Sequence, residues 1–170
     1  MPTIDDIYRK FEEVSEAAQL VETELGTVLL FYGVAYEGLI TPTLEVDGKR
    51  ATELLGQINR QTLGQLIKNT KRHTDALDQL EPLLSAALDE RNRLSHHFYR
   101  QHNLRKNTDA GRSLMLDDLE SINNTLITAY KALSLLSGID LDALTEELAK
   151  ASDDGKFSAV DQSLVFHLPI

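Results

Sequence analysis

The sequence predicts an all-α protein, an up-and-down bundle of four main helices followed by a short fifth helix and a C-terminal tail. Three observations predict it. Apolar residues recur at steps of three and four through most of the chain, the spacing that lines one face of a helix. The alternation of a half-buried strand is nearly absent. At 170 residues and 42% hydrophobic content, one domain with its own core is expected.

The first helix is marked by Ile4, Ile7, Phe11, Val14, Ala18, Val21, Leu25, Val28 and Tyr32. Thr3 followed by Asp5 and Asp6 suits its start, because carboxylates are favoured at the positive end of a helix dipole. Gly33, Gly38 and Pro42 are expected to loosen and then end it. The segment "LEVDGKRA" carries the turn pair Asp47-Gly48 and reads as a small hairpin or a plain loop.

A second helical stretch is expected from about Ala51 to Arg72, with Leu54, Leu55, Ile58, Leu63, Leu66 and Ile67 apolar. Gly56 and Gly64 predict a break into two pieces. The third helix is expected to start near Pro82, since proline is tolerated in a first turn. Its apolar positions are Leu84, Ala87, Leu88, Leu94 and Phe98. Polar "HNLRKNTDAGR" reads as a loop. The fourth helix should run from about Ser113 to Leu136 and stop at Ser137-Gly138. "IDLDALTEELAK" predicts the short fifth helix, capped by Asp140. Residues 1–150 are expected to form the bundle. Residues 151–170 form a tail that either straps across a surface or frays.

Composition narrows the function classes. The chain has no cysteine, so disulfides and thiolate metal sites are excluded and a reducing cytoplasm suits it. The start "MPTIDDIYRK" shows no basic segment followed by an apolar one, which predicts no secretory signal. The most apolar run, Val28 to Ile40, is too short to cross a bilayer and contains Glu37. A soluble, cytoplasmic protein without membrane contact is expected.

Net charge is −10, unlike a diffuse nucleic-acid binder. Yet Arg91 to Arg112 holds six Lys/Arg and one Asp, while the rest of the chain holds eleven Lys/Arg and twenty-six Asp/Glu. A local positive field on an acidic body can recruit a polyanion to one place. The plain alternative is a solvated charged face.

That basic segment opens with "ERNRLSHHFYRQHN", Glu90 to Asn103. On a helical wheel at about 100° per residue, Arg91 falls at the centre of the stripe of Leu84, Ala87, Leu88, Leu94 and Phe98. A cation there needs a partner. Either a carboxylate of another helix meets it, or the stripe opens into a cleft or subunit interface. Asn92, Tyr99 and, further round, His96 lie on one flank of Arg91, and His97 lies on the other. Imidazole can take and give a proton near neutral pH. Guanidinium can hold a phosphate with two hydrogen bonds. Together they fit phosphodiester chemistry.

Other chemistries find no support. There is no phosphate-binding glycine loop, GxGxxG, HExxH or GxSxG. No histidine has a glutamate three residues before it, which excludes the di-iron pattern of helical bundles. His96, His97 and His102 match no standard metal spacing, so neither a metal nor a cofactor is expected.

The stretch resembles the signature of the HEPN superfamily, whose ribonucleases carry Arg, then a polar residue, then His after four to six intervening residues. Arg91-Asn92-Arg93-Leu94-Ser95-His96 fits with four intervening, and Arg91 to His97 fits with five. His97-Phe98-Tyr99 also matches the His-x-Tyr ending of some toxin members. The resemblance covers about nine residues in motif and roughly Leu25 to Leu136 in organisation. It implies a four- or five-helix bundle whose copies pair with their motifs facing across one cleft. It also implies metal-independent endoribonuclease activity, in toxins, phage-defence effectors or RNA-processing factors. In that scheme His96 (or His97) helps deprotonate a ribose 2′-OH, Arg91 steadies the phosphorane and Asn92 polarises a phosphate oxygen. Arg93, Tyr99, Arg100 and His102 would contact the substrate. The implied partners are RNA or a nucleotide, a second copy of the chain and, for a toxin, a cognate antitoxin protein. Other members are inactive or bind nucleotides, so a non-catalytic bundle that binds nucleotide, RNA or a protein is the alternative.

Overall fold

Three long helices make the frame of the molecule. In this computed structural model, residues 1–36, 48–70 and 75–138 are described. They form α1 (Ile4–Tyr36), α2 (Gly48–Ile58), α3 (Leu63–Thr70), α4 (Asp75–His96), α5 (Phe98–His102) and α6 (Asp109–Leu136), with a 3-10 turn at Arg105–Asn107. No strand occurs among the described residues. The architecture is an all-α helical bundle, as the periodicity predicts.

Contacts along the helices give their directions. Arg112 Nε on α6 donates to the Pro2 carbonyl just before α1. Lys10 on α1 bridges to Glu120 on α6, and Ser137 after α6 donates to Glu24 on α1. α1 and α6 therefore run parallel. α4 runs antiparallel to both, since Arg91 meets Glu22 and Arg93 meets Asp118, while Phe98 packs near Phe11. The short helices α2 and α3 fill the remaining side through Ile58, Leu63, Leu66 and Ile67, all buried.

The stripe of α1 works as its spacing predicts. Ile7, Val14, Ala18, Val21, Leu25 and Val28 are buried, Phe11 and Tyr32 are partly buried, and only Ile4 at the tip is exposed. Thr3 caps the helix: its hydroxyl accepts from the Asp6 backbone N–H, and the Asp6 carboxylate accepts from the Thr3 N–H. This reciprocal pair is a capping box with aspartate in place of glutamate. These hydrogen bonds from Thr3 hold the Asp6 carboxyl below the usual carboxylate range.

Several boundaries differ from expectation, each for a local reason. α1 continues through Gly33 to Tyr36; Gly38, Pro42 and the first half of "LEVDGKRA", residues 44–47, lie outside the described residues. Gly48, the second residue of the expected turn pair, is the first residue of α2. The expected break does fall between two helices, but not at Gly56 or Gly64. It falls at Asn59–Thr62, where Thr62 and Gln65 exchange hydrogen bonds in a second capping box that starts α3.

α4 begins at Asp75, so Pro82 sits inside the helix on an exposed face. Proline there forgoes one backbone hydrogen bond. The buried Leu84, Ala87 and Leu94 hold the helix together beyond it. The expected loop "HNLRKNTDAGR" is largely ordered into the end of α5, the 3-10 turn and the first turn of α6. Thr108 starts α6 by accepting from the Gly111 N–H, one turn before the expected Ser113. The stop at Ser137-Gly138 is as expected: Gly138 takes the left-handed φ of +80°, which glycine adopts without a Cβ penalty. The expected fifth helix and the tail, residues 139–170, lie outside the described residues.

Gly111 is required by the close approach of the 3-10 turn to α6. A Cβ at this position would overlap the backbone of Arg105. In a helix Gly→Ala ordinarily stabilises by about 1 kcal/mol. Here the expected outcome is reversed: Gly111→Ala should destabilise by about 2 kcal/mol through forced backbone movement. Urea titration followed by circular dichroism measures this directly.

Candidate functional site

The C-terminal half of α4 carries the residues that the motif singles out. Arg91 lies in register with buried Leu84, Ala87, Leu94 and Phe98, as the wheel predicts. Its side chain keeps 31% of its exposure, because the stripe opens here into a small cleft between α1 and α4. Ser15, Ala18, Gln19 and Glu22 line the α1 wall, and Arg91, Leu94 and Ser95 line the α4 wall. The cavity volume is about 140 Å³. Small residues at 15 and 18 leave this room.

Arg91 meets a carboxylate. Its Nη2 lies 2.9 Å from Glu22 Oε1, and its Nη1 donates to Asn92 Oδ1 at 3.3 Å. The Glu22 contact is an ion pair by distance only. Glu22 Oε1 is buried, yet it accepts no hydrogen bond of good geometry.

His96 and His97 are exposed, with ring centroids 6.3 Å apart. α4 ends at His96 and α5 begins after His97, which has φ −126° and ψ −21°. The break turns the chain so that Phe98 and His102 point inward, while Tyr99 remains 44% exposed. Neither imidazole lines the Arg91 cleft, and neither ring makes a hydrogen bond among the described residues. Tyr99 stacks on Phe11 at 5.1 Å, and burial pushes its phenol above the ordinary range.

Two residues expected to contact substrate are occupied elsewhere. His102 is 3% exposed. Its Nε2 lies 2.7 Å from Asp118 Oδ2, its Nδ1 lies 3.2 Å from Arg105 Nη1, and its ring packs on Phe98. The aromatic run of α5 turns it into the core, and the polar look of "RQHN" gave no warning of this. Arg93 faces α6 rather than the cleft. It donates to both Asp118 oxygens at 3.0 and 2.7 Å and to Glu90 at 2.8 Å. Asp118 is thus the hub of a network linking α4, α5 and α6. Burial alone would raise its carboxyl. The hydrogen bonds from Arg93 and His102 outweigh that and hold it below the usual range. The Arg93 guanidinium is held above its ordinary value, chiefly by its hydrogen bonds to Asp118.

The positive segment is therefore more neutral than its composition suggests. Arg91, Arg93 and Arg112 have carboxylate partners: Glu22, then Glu90 with Asp118, then Asp109. Arg105 leans on His102. Arg100 is exposed and, like Lys106, has no ion-pair partner among the described residues.

Sequence reasoning missed Glu22 and Asp118. Each sits beside a buried apolar residue of its helix, Val21 and Leu119. A carboxylate flanking an apolar stripe is the available signal, but many residues carry it. No group of three His, Asp or Glu residues that could hold a metal ion occurs among the described residues. No helix among them is long and apolar enough to cross a membrane. Comparison of the chain with models of protein families, with curated proteins and with solved structures found no match.

Proposed function

We propose that the protein is a HEPN-like, metal-independent endoribonuclease that acts as a homodimer, with Arg91 and His96 (or His97) as its acting pair. One observation carries this reading most directly. Arg91 opens on a polar cleft beside Asn92, and two exposed imidazoles, without hydrogen bonds among the described residues, lie five and six residues further on. Within one chain the imidazoles do not line that cleft. A second copy that presents its own histidine to it would complete the constellation.

In this reading an imidazole accepts the proton of a ribose 2′-OH as that oxygen attacks phosphorus. Arg91 stabilises the charge that builds on the phosphorane, and Asn92 keeps the guanidinium aimed. The bond to the 5′-oxygen then breaks, and the imidazolium so formed, or its counterpart in the second copy, gives a proton to that oxygen, leaving a 2′,3′-cyclic phosphate and a 5′-hydroxyl. Exposed Tyr99 and Arg100 can meet the flanking nucleotides by stacking and charge. A toxin or phage-defence role, a cytoplasmic setting and a protein antitoxin follow the same reading.

Purified protein incubated with RNA in EDTA should cut it and leave cyclic phosphate ends, read by end-specific labelling. His96→Ala with His97→Ala should lower the rate at least a hundredfold. Intact RNA in EDTA, or full activity of the double variant, would sink the reading.

The Arg91–Glu22 contact favours a second reading. In it the bundle is non-catalytic, and Arg91 serves to join α1 and α4 while the same surface binds nucleotide, RNA or a protein. Measurable binding without cleavage would select it.

A further inference from the structure

The cleft beside Arg91 already contains an anion. Glu22 Oε1 is 2.9 Å from the guanidinium, buried, and without a hydrogen bond. Charge attracts it, but direction does not hold it. Its side chain is 32% exposed, so it has a path to solvent. We propose that this cleft is a phosphate seat and that Glu22 is its resident, displaceable anion, competing with an incoming phosphoryl group for Arg91. This rests on the ribonuclease reading for the identity of the ligand, but its physics can be tested apart from cleavage.

The competition follows from charge and geometry. A tetrahedral phosphate offers oxygens at several angles and can take two guanidinium hydrogen bonds. The carboxylate as placed takes none. The two anions compete for one guanidinium, because like charges a few ångströms apart repel. Gln19 and Ser95 on the walls can donate to the incoming group. Ser15 cannot, since its hydroxyl already donates to the Phe11 carbonyl at 2.7 Å. With Glu22 in place the seat is neutral overall, and stray anions gain little there. A phosphodiester chain, held also by a base on exposed Tyr99, which packs on Phe11 of the same helix as Glu22, can displace it.

The test uses Glu22→Gln, which removes the charge and keeps the shape, in the full chain. The probes are inorganic phosphate and a six-residue deoxythymidine oligonucleotide, which has no 2′-OH and cannot be cut by the proposed chemistry. Calorimetric titration should show both binding about tenfold more tightly to Glu22→Gln than to the wild type, ~1.4 kcal/mol. Glu22→Asp, which keeps the charge, should show no such gain, and adding Arg91→Ala to Glu22→Gln should abolish it. Binding that is unchanged or weaker in Glu22→Gln overturns the proposal, as does a gain that survives loss of Arg91. If Glu22→Gln does not fold, Glu22→Ala is read in the same way. Failure of both to fold makes Glu22 a structural requirement and also overturns it. RNA cleavage is scored separately. Tighter phosphate binding with uncut RNA keeps the gate and rejects the nuclease. Cut RNA with unchanged phosphate binding rejects the gate alone.

Discussion

Asp118→Ala is expected to lower stability by about 3 kcal/mol, the cost of breaking a largely buried pair by removing one member. The loss has two parts. Arg93 would keep Glu90 but lose both Asp118 oxygens. His102, 3% exposed, would lose the acceptor at its Nε2. Because these groups join α4, α5 and α6, the segment from Phe98 to Arg105 should loosen first, and hydrogen exchange of its amides would report it. The same carboxyl gives a pH dependence of definite sign. Its folded pKa is depressed, so the unfolded chain binds the proton more readily. The contribution is therefore fully present above the unfolded value, about 3.9, and lost as pH falls through the lower folded value. Chemical denaturation from pH 5 downward should show this acid loss in the wild type and a smaller one in Asp118→Asn. Equal slopes in the two proteins would show that Asp118 contributes nothing there.

Arg91→Ala is expected to reduce RNA cleavage by about 10²-fold or more, the usual loss when one charge-stabilising donor of a transition state is removed. Its effect on folding should be much smaller, about 1 kcal/mol, since the Glu22 contact is partly exposed and poorly directed. This contrast separates the two functional readings. A mainly structural Arg91 would give the opposite pattern, a loss of several kcal/mol with no cleavage to lose. Arg91→Lys sharpens the distinction. Lysine restores a charge beside Glu22 but not the planar fork that takes two phosphate oxygens. It should recover stability almost fully and cleavage only in part. Parallel melts and rate measurements on the three proteins decide the matter.

The helical class and the buried face of α1 were legible in the sequence because burial follows a period that local order alone creates. The stop at Gly138 was legible because left-handed backbone has a chemical signature. The break between α2 and α3 was misplaced because glycine was weighed above the Thr62–Gln65 capping box, which was there to read. Pro82 suggested a start, but tertiary burial of Leu84 and Ala87 carries a helix through one missing hydrogen bond. In the candidate site, the position of Arg91 on its stripe was legible, but its partner was not. Glu22 lies on another helix, and Asp118, the partner of Arg93 and His102, on a third. Periodicity says which face of a helix turns inward and is silent on which helix it meets. His102 was misread for the same reason, since its burial depends on the turn at His97.

The parallel alignment of α1 and α6 has a consequence for how the chain reaches this shape. Pro2 and Arg112, which touch, are 110 residues apart in sequence, and Glu24 meets Ser137 at a separation of 113. Helical bundles made of hairpins close such contacts locally and fold fast, whereas distant pairings slow the search. On the ribosome, at roughly 5–20 residues per second, α1 would wait about 5–20 s for its main companion to be made. During that interval Val14, Val21, Leu25 and Val28 have no α6 to cover them. Until α6 is made, the apolar face of α1 is covered only by α4 and the short helices, so slowing translation late in the chain should lengthen the time this face is open, read as greater protease sensitivity of ribosome-bound chains.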